Sequence, residues 1–158
     1  MPRKPAILFL CTGNSCRSQM AEGWARHLHG DRLTAHSAGT EPHGLNPRAV
    51  QVMAEAGVDI SGHRSQHLDA FAAVPLDVVV TVCGHAHETC PVFPGPTRVV
   101  HHGFDDPPAL AATLTDEHEI LACYRRVRDE IRDHVATLPA ALGPGLAPPA
   151  AGTPEERR

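Results

Sequence analysis

The sequence predicts a single α/β domain, a four-stranded parallel sheet with helices on both faces. Three observations predict it. Residues 6–10 and 77–82 are continuous apolar runs, the second β-branched, as in strands buried on both sides. Segments with helical spacing and helix punctuation lie between and after these runs, and strands that alternate with helices imply parallel pairing. The length, 158 residues, is that of one ordinary domain and suffices to bury a core without metal or disulfide staples.

Each element has its own signal. Residues 6–10 form the first strand and run directly into Cys11-Thr-Gly-Asn-Ser-Cys-Arg17, which is loop chemistry. Ser18 is a candidate cap for a helix over 19–29, stopped by Gly30. Residues 33–37 read as a second strand, followed by a turn at Ala38 and Gly39. Pro47 suits the first turn of a helix that runs to about Ala56, with Gly57 as its stop. Residues 67–73 form a short helix, 77–82 the clearest strand, and 97–101 a fourth. A long helix over 115–138 closes the domain, with Leu121, Val127, Ile131, Val135 and Leu138 as its apolar stripe. The domain thus covers 1–138, and the Pro-, Gly- and Ala-rich stretch 139–158 reads as a disordered tail.

Composition narrows the function. The net charge is −4, against the basic balance of a nucleic-acid binder. No apolar run approaches the roughly 18 residues of a membrane span. The run before Cys11 is also too short for the core of a signal peptide, so a cytoplasmic protein is expected. In that reducing compartment, five cysteines point to free or catalytic thiols, and an odd number cannot pair completely.

The loop after the first strand carries the sharpest chemistry. Its N–H groups converge where a helix begins, and the helix dipole adds positive potential. Gly13 is expected to allow the backbone angles of such a nest, and Arg17 supplies a planar cationic fork for a tetrahedral oxyanion. A thiol in that field ionises more easily: at an unperturbed pKa of about 8.5 only about 3% is thiolate at pH 7. Lowering the pKa by roughly two units makes the thiolate dominant. Ser18 is placed to donate a further hydrogen bond to the sulfur. Residues Thr12, Gly13, Asn14, Ser15, Cys16, Arg17 and Ser18 therefore form a candidate oxyanion cradle around the nucleophile Cys11. The bland alternative is a buried cysteine with an arginine nearby by chance, since Cys-x5-Arg alone is weak evidence.

Cys83 follows the clearest strand, on the sheet edge where Cys11 ends the first. Cys90 lies seven residues on. On one unbroken helix, residues seven apart have Cα atoms about 10.5 Å apart along the axis. A disulfide needs about 7 Å or less, so the two can bond only if the segment bends or unwinds. Two structural cysteines are an equal alternative on the residues alone. Metal binding by His85, His87 and Cys90, with His101 and His102 nearby, is another, but the spacings match no standard zinc pattern. No metal is expected.

Residues 11–24, Cys-Thr-Gly-Asn-Ser-Cys-Arg-Ser-Gln-Met-Ala-Glu-Gly-Trp, resemble the opening of thioredoxin-coupled arsenate reductases. That family shares its fold with low-molecular-weight protein tyrosine phosphatases. The resemblance continues through Ser37 to Gly39, His43-Gly44, Asn46-Pro47, Cys83, Cys90-Pro91, Gly103-Phe-Asp-Asp-Pro107 and Arg126 to Ile131. It implies a relay in which the Cys11 thiolate attacks arsenate and Cys83 attacks Cys11, releasing arsenite. Cys90 then attacks Cys83, and thioredoxin reduces the Cys83–Cys90 disulfide. It also implies a general acid at Asp105, with Asp106 the neighbouring alternative and helix capping the other role open to either. No bound cofactor is required, because the electrons arrive as thiols, and a monomer is expected.

Some members of the family hold a potassium ion. Asn14, Glu22 and Ser37 match its ligand positions, but Arg64-Ser65-Gln66 stands where those members have Thr-Ser-Asp, so no tight potassium site is expected. Cys16, Cys123 and Trp24 read as packing residues. Two other functions stay open. A phosphatase needs the same loop, but its Asp-Pro-Tyr motif is missing and Tyr124 is the only tyrosine. A non-enzymatic redox sensor needs only the cysteines.

Overall fold

The computed structural model describes residues 4–84 and 97–138. In chain order they form β1 (Ala6–Cys11), α1 (Arg17–His29), β2 (Thr34–Gly39), α2 (Pro47–Glu55), a 3-10 turn at Leu68–Phe71, β3 (Val78–Thr81), β4 (Arg98–His101), a short helix α3 (Pro107–Leu110) and α4 (Glu117–Ala136). The four strands pair in parallel in the order β2-β1-β3-β4. Every residue of β1 and β3 is buried, which explains their unbroken apolar runs. β4 is the outer strand and stays largely exposed.

Side-chain alternation along β2 separates the two faces. Ser37 bonds Glu22 of α1, whereas His36 points the other way and packs its ring on Phe71 of the 3-10 turn at 5.1 Å. Helical structure therefore covers both faces. On the α1 side lies α4, whose expected stripe of Leu121, Val127, Ile131, Val135 and Leu138 is buried. Ile120 and Tyr124 widen that stripe. Trp24 is buried as expected and donates its indole N–H to the Arg128 carbonyl at 3.1 Å.

The helix starts follow capping chemistry, with one correction. Asn46 accepts from the Arg48 and Ala49 amides and Pro47 takes the first position of α2, while Gly57 adopts φ +86 just beyond its end. Asp116 caps α4 through the His118 amide. Ser18, expected to cap the first helix, instead lies inside α1, and Cys16 precedes the helix without a side-chain cap. The Ser18 hydroxyl is taken up inside the protein, where it accepts from Asn14 Nδ2 at 2.9 Å. The stretch 139–158 lies outside the described residues, as does Cys90 with His85 and His87. No helix among the described residues is long and apolar enough to cross a membrane.

Candidate active site

Register brings the site together. Cys11 is the last residue of β1, and Leu10 pairs with Thr81 of β3. Continuing that register sets Thr12 beside Cys83, where the Thr12 hydroxyl lies 3.3 Å from the Cys83 sulfur. Both cysteines are buried, and Cys83 is the neighbour that most strongly holds the Cys11 thiol protonated. The structure thus brings together two of the three cysteines expected in the relay.

The loop from Cys11 to Cys16 owes its shape to its carbonyls, each of which has a donor. Thr40 N–H donates to Cys11 O at 3.3 Å, Glu41 N–H to Thr12 O at 2.8 Å, His43 N–H to Gly13 O at 3.1 Å, and Asn46 N–H to Ser15 O at 3.0 Å. The chain after β2 therefore runs as a strap along the loop. Gln19 Nε2 donates to Asn14 O at 3.1 Å, and Met20 N–H to Cys16 O at 2.9 Å. Buried backbone groups must find partners, and carbonyls held on one side turn the intervening N–H groups to the other. The Thr12 amide reaches the Cys11 sulfur on that inner side.

Gly13 serves differently from the expectation. The left-handed residue of the loop is Asn14, with φ 46, held by its side-chain bonds to Ser18 and to the Gln66 amide. A glycine is needed at 13 for space, because a Cβ there would run into the His43 imidazole.

A cleft of about 480 Å³ opens on this loop. Cys11, Thr12, Gly13, Ser15, Cys16 and Arg17 line its base, and His43, Asp106 and Pro108 its rim. Asn14 and Ser18, also expected in the cradle, are buried and bonded to each other, so they support the loop from behind. Arg17 donates Nη1 to the Phe104 carbonyl at 3.0 Å, and its Nη2 lies 3.7 Å from Asp106 Oδ1. Its Nε is a buried donor with no hydrogen-bond partner among the described residues. A buried donor left unpaired is costly, so this is a place for an oxyanion.

The electrostatics of Cys11 oppose the simple expectation of a lowered pKa. The hydrogen bond with Cys83 pushes its thiol upward, as does burial, while Arg17 and the Thr12 amide pull it down. A thiolate on either sulfur opposes ionisation of the other, so the two thiols are coupled. Burial, with Asp106 nearby, pushes the Cys16 thiol up to about 12.

The two neighbouring aspartates part company. Asp105 points outward with 61% of its side chain exposed and pairs with Arg126 at 3.0 Å. Asp106 borders the cleft and faces Arg17. It also precedes α3, and its carboxylate makes no cap bond there. A Gly-Phe-Asp-Asp-Pro string contains nothing to separate the two; the choice follows from which carboxylate the chain turns toward Arg17 as it enters α3.

Among the described residues no three of His, Cys, Asp and Glu converge, His101 bonds Thr81 at 2.9 Å, and His102 stacks on His134 at 3.7 Å. The residues that match potassium ligands do not fit one. Glu22 accepts from Ser37 at 2.6 Å and pairs with Arg26 at 2.6 Å, so a guanidinium already neutralises it. Asn14 Oδ1 accepts from the Gln66 amide at 2.7 Å.

A cysteine at a strand end, an arginine six residues on and an aspartate across the cleft lie within the region that a known family shares. The profile of the low molecular weight phosphotyrosine protein phosphatases matches residues 6–144. The chain belongs to this family. Within it, the arsenate reductase of Halalkalibacterium halodurans is 52% identical over 134 residues, which are 85% of this chain and 94% of that protein. A solved arsenate reductase in the phosphate-binding state aligns with a TM-score of 0.61 and 32% identity, over 85% of this chain and 95% of its own. The thioredoxin-dependent arsenate reductase of Corynebacterium glutamicum aligns with a TM-score of 0.60 and 26% identity, over 83% of this chain and 60% of its own.

Sequence reasoning missed three contributors: His43 over Gly13, Gln19 behind Asn14, and the strap after β2. The strap and His43 act on backbone groups about 30 residues away, and Gln19 joins the nearby Asn14 carbonyl to the distant Arg64 carbonyl, a pairing no local pattern records.

Proposed function

We propose that this protein reduces arsenate to arsenite through Cys11, Cys83 and Cys90, with thioredoxin as the electron donor. The observation that carries the reading is a second thiol beside Cys11: Cys83 lies 3.3 Å from the Thr12 hydroxyl and is the first cause that raises the Cys11 thiol. Phosphoryl transfer needs one thiol, whereas reduction needs a second within reach. The 52% identity to an arsenate reductase supports the same choice.

Arsenate binds with its oxygens on the loop amides and on the free Nε–H of Arg17. The Cys11 sulfur attacks arsenic while Asp106 protonates the departing oxygen, which leaves as water. Asp106 replaces Asp105 in this role because it borders the cleft. The Cys83 thiolate then attacks the Cys11 sulfur. The sulfur–arsenic bond breaks, its electron pair stays on arsenic, and arsenite leaves as a Cys11–Cys83 disulfide forms. Only one sulfur needs to be ionised at each step, which suits two thiols that each oppose ionisation of the other. Cys90 attacks Cys83 and frees Cys11, and thioredoxin reduces the resulting Cys83–Cys90 bond. A reducing cytoplasm suits this chemistry.

The test is arsenate-dependent NADPH oxidation with thioredoxin and thioredoxin reductase. Wild type turns over steadily, and Cys90→Ser completes at most one turnover. Hydrolysis of an aryl phosphate without arsenate-dependent oxidation would replace this reading with a phosphatase.

A further inference from the structure

Most polar groups that face the cleft are donors: the loop amides and the Arg17 guanidinium. The Thr12 and Ser15 hydroxyls can donate or accept, and the His43 ring and an ionised Asp106 carboxylate can also accept. The strap holds His43 by its backbone bond to Gly13 O at 3.1 Å. Its ring lies over Gly13, close enough that a Cβ at 13 would meet Cε1 and Nε2. Nδ1 lies 3.2 Å from the Glu41 carbonyl. A carbonyl only accepts, so Nδ1 carries the hydrogen, and an uncharged ring then has its lone pair on Nε2.

A lone pair beside an anion site repels a bare oxygen and attracts a hydroxyl. Tetrahedral oxyanions differ in this respect. Arsenate and phosphate each keep at least one proton at neutral pH, and sulfate keeps none. We infer that His43 is the specificity residue of the cradle, its Nε2 accepting the hydrogen of a protonated oxyanion oxygen and so favouring arsenate and phosphate over sulfate. Asp106 serves the oxygen that leaves, and His43 a hydroxyl that stays. The inference rests on the oxyanion-binding half of the proposed function and not on the thiol relay.

Calorimetric titration of the reduced protein with inorganic phosphate and with sulfate at pH 7 tests it, because neither anion is reduced. His43→Phe keeps a ring over Gly13 and removes the lone pair. Wild type is expected to prefer phosphate. In His43→Phe phosphate binding weakens about tenfold, the worth of one partly exposed hydrogen bond, while sulfate binding stays level or tightens. His43→Gln, whose amide oxygen also accepts, recovers most of the preference and answers the question if the phenylalanine variant fails to fold. Equal weakening of both anions would mean that the ring acts as a cation or a wall, and no change in either would remove it from recognition; each overturns the inference, as does a wild type that does not prefer phosphate. Loss of arsenate turnover with the anion contrast intact would overturn the reductase reading alone.

Discussion

The cradle and the thiol pair share β1 yet are held by opposite means. In the cradle each carbonyl from Cys11 to Cys16 has a donor, supplied by the strap after β2, by Gln19 and by α1. At the end of β3, Cys83 meets the Thr12 hydroxyl and the Cys11 sulfur, both through sulfur. Amide–carbonyl bonds are strong and directional, whereas thiols are weak donors and acceptors. Oxyanion stabilisation works best when its dipoles are fixed before substrate arrives. A relay needs the reverse, a sulfur whose contacts can be exchanged for a covalent bond and then released.

Breaking the thiol side alone gives the largest contrast. Cys83→Ala abolishes steady arsenate reduction while phosphate affinity, read by calorimetry, stays at the wild-type value. The same variant removes the first cause that raises the Cys11 thiol, so its alkylation by iodoacetamide moves to lower pH. An unmoved or higher midpoint would mean that Cys83 does not hold the Cys11 proton.

Breaking the cradle side reverses the pattern. Arg17→Lys keeps a charge but loses the planar fork, and kcat/KM for arsenate is expected to fall about 10²–10³-fold. Calorimetry should register weaker phosphate binding, and the melting temperature should change little. The aspartates come next. Asp106→Asn lowers kcat by about 10²-fold, the usual worth of a general acid, and Asp105→Asn leaves it near wild type. An equal loss in both variants would return the acid to an open question. The smallest expected effect is that of potassium. With Arg26 already on Glu22, potassium and sodium chloride at equal concentration should give the same activity and melting temperature.

Much of the fold was legible because each signal was local. The apolar runs of β1 and β3, Pro47 and Gly57 around α2, and the stripe of α4 are patterns of neighbouring residues, and each element formed within a few residues of its expected bounds. Ser18 misled because a serine before a helical run reads as a cap, and nothing nearby announces that Asn14 will claim its hydroxyl.

The sequence by itself determined the chemistry available to this protein: a nucleophile at a strand end, a guanidinium on the next helix and a second thiol on the neighbouring strand. These follow from residue type and from parallel register, which places strand ends along one edge. Tertiary structure alone decided how that chemistry is disposed. It put the left-handed backbone at Asn14 and reserved Gly13 for the His43 ring. It turned Asp106 inward and Asp105 outward, and set Cys83 against Cys11 so that it raises the Cys11 thiol. Each of these choices joins groups far apart along the chain through one hydrogen bond or one steric contact, and no periodicity or motif records such a pairing.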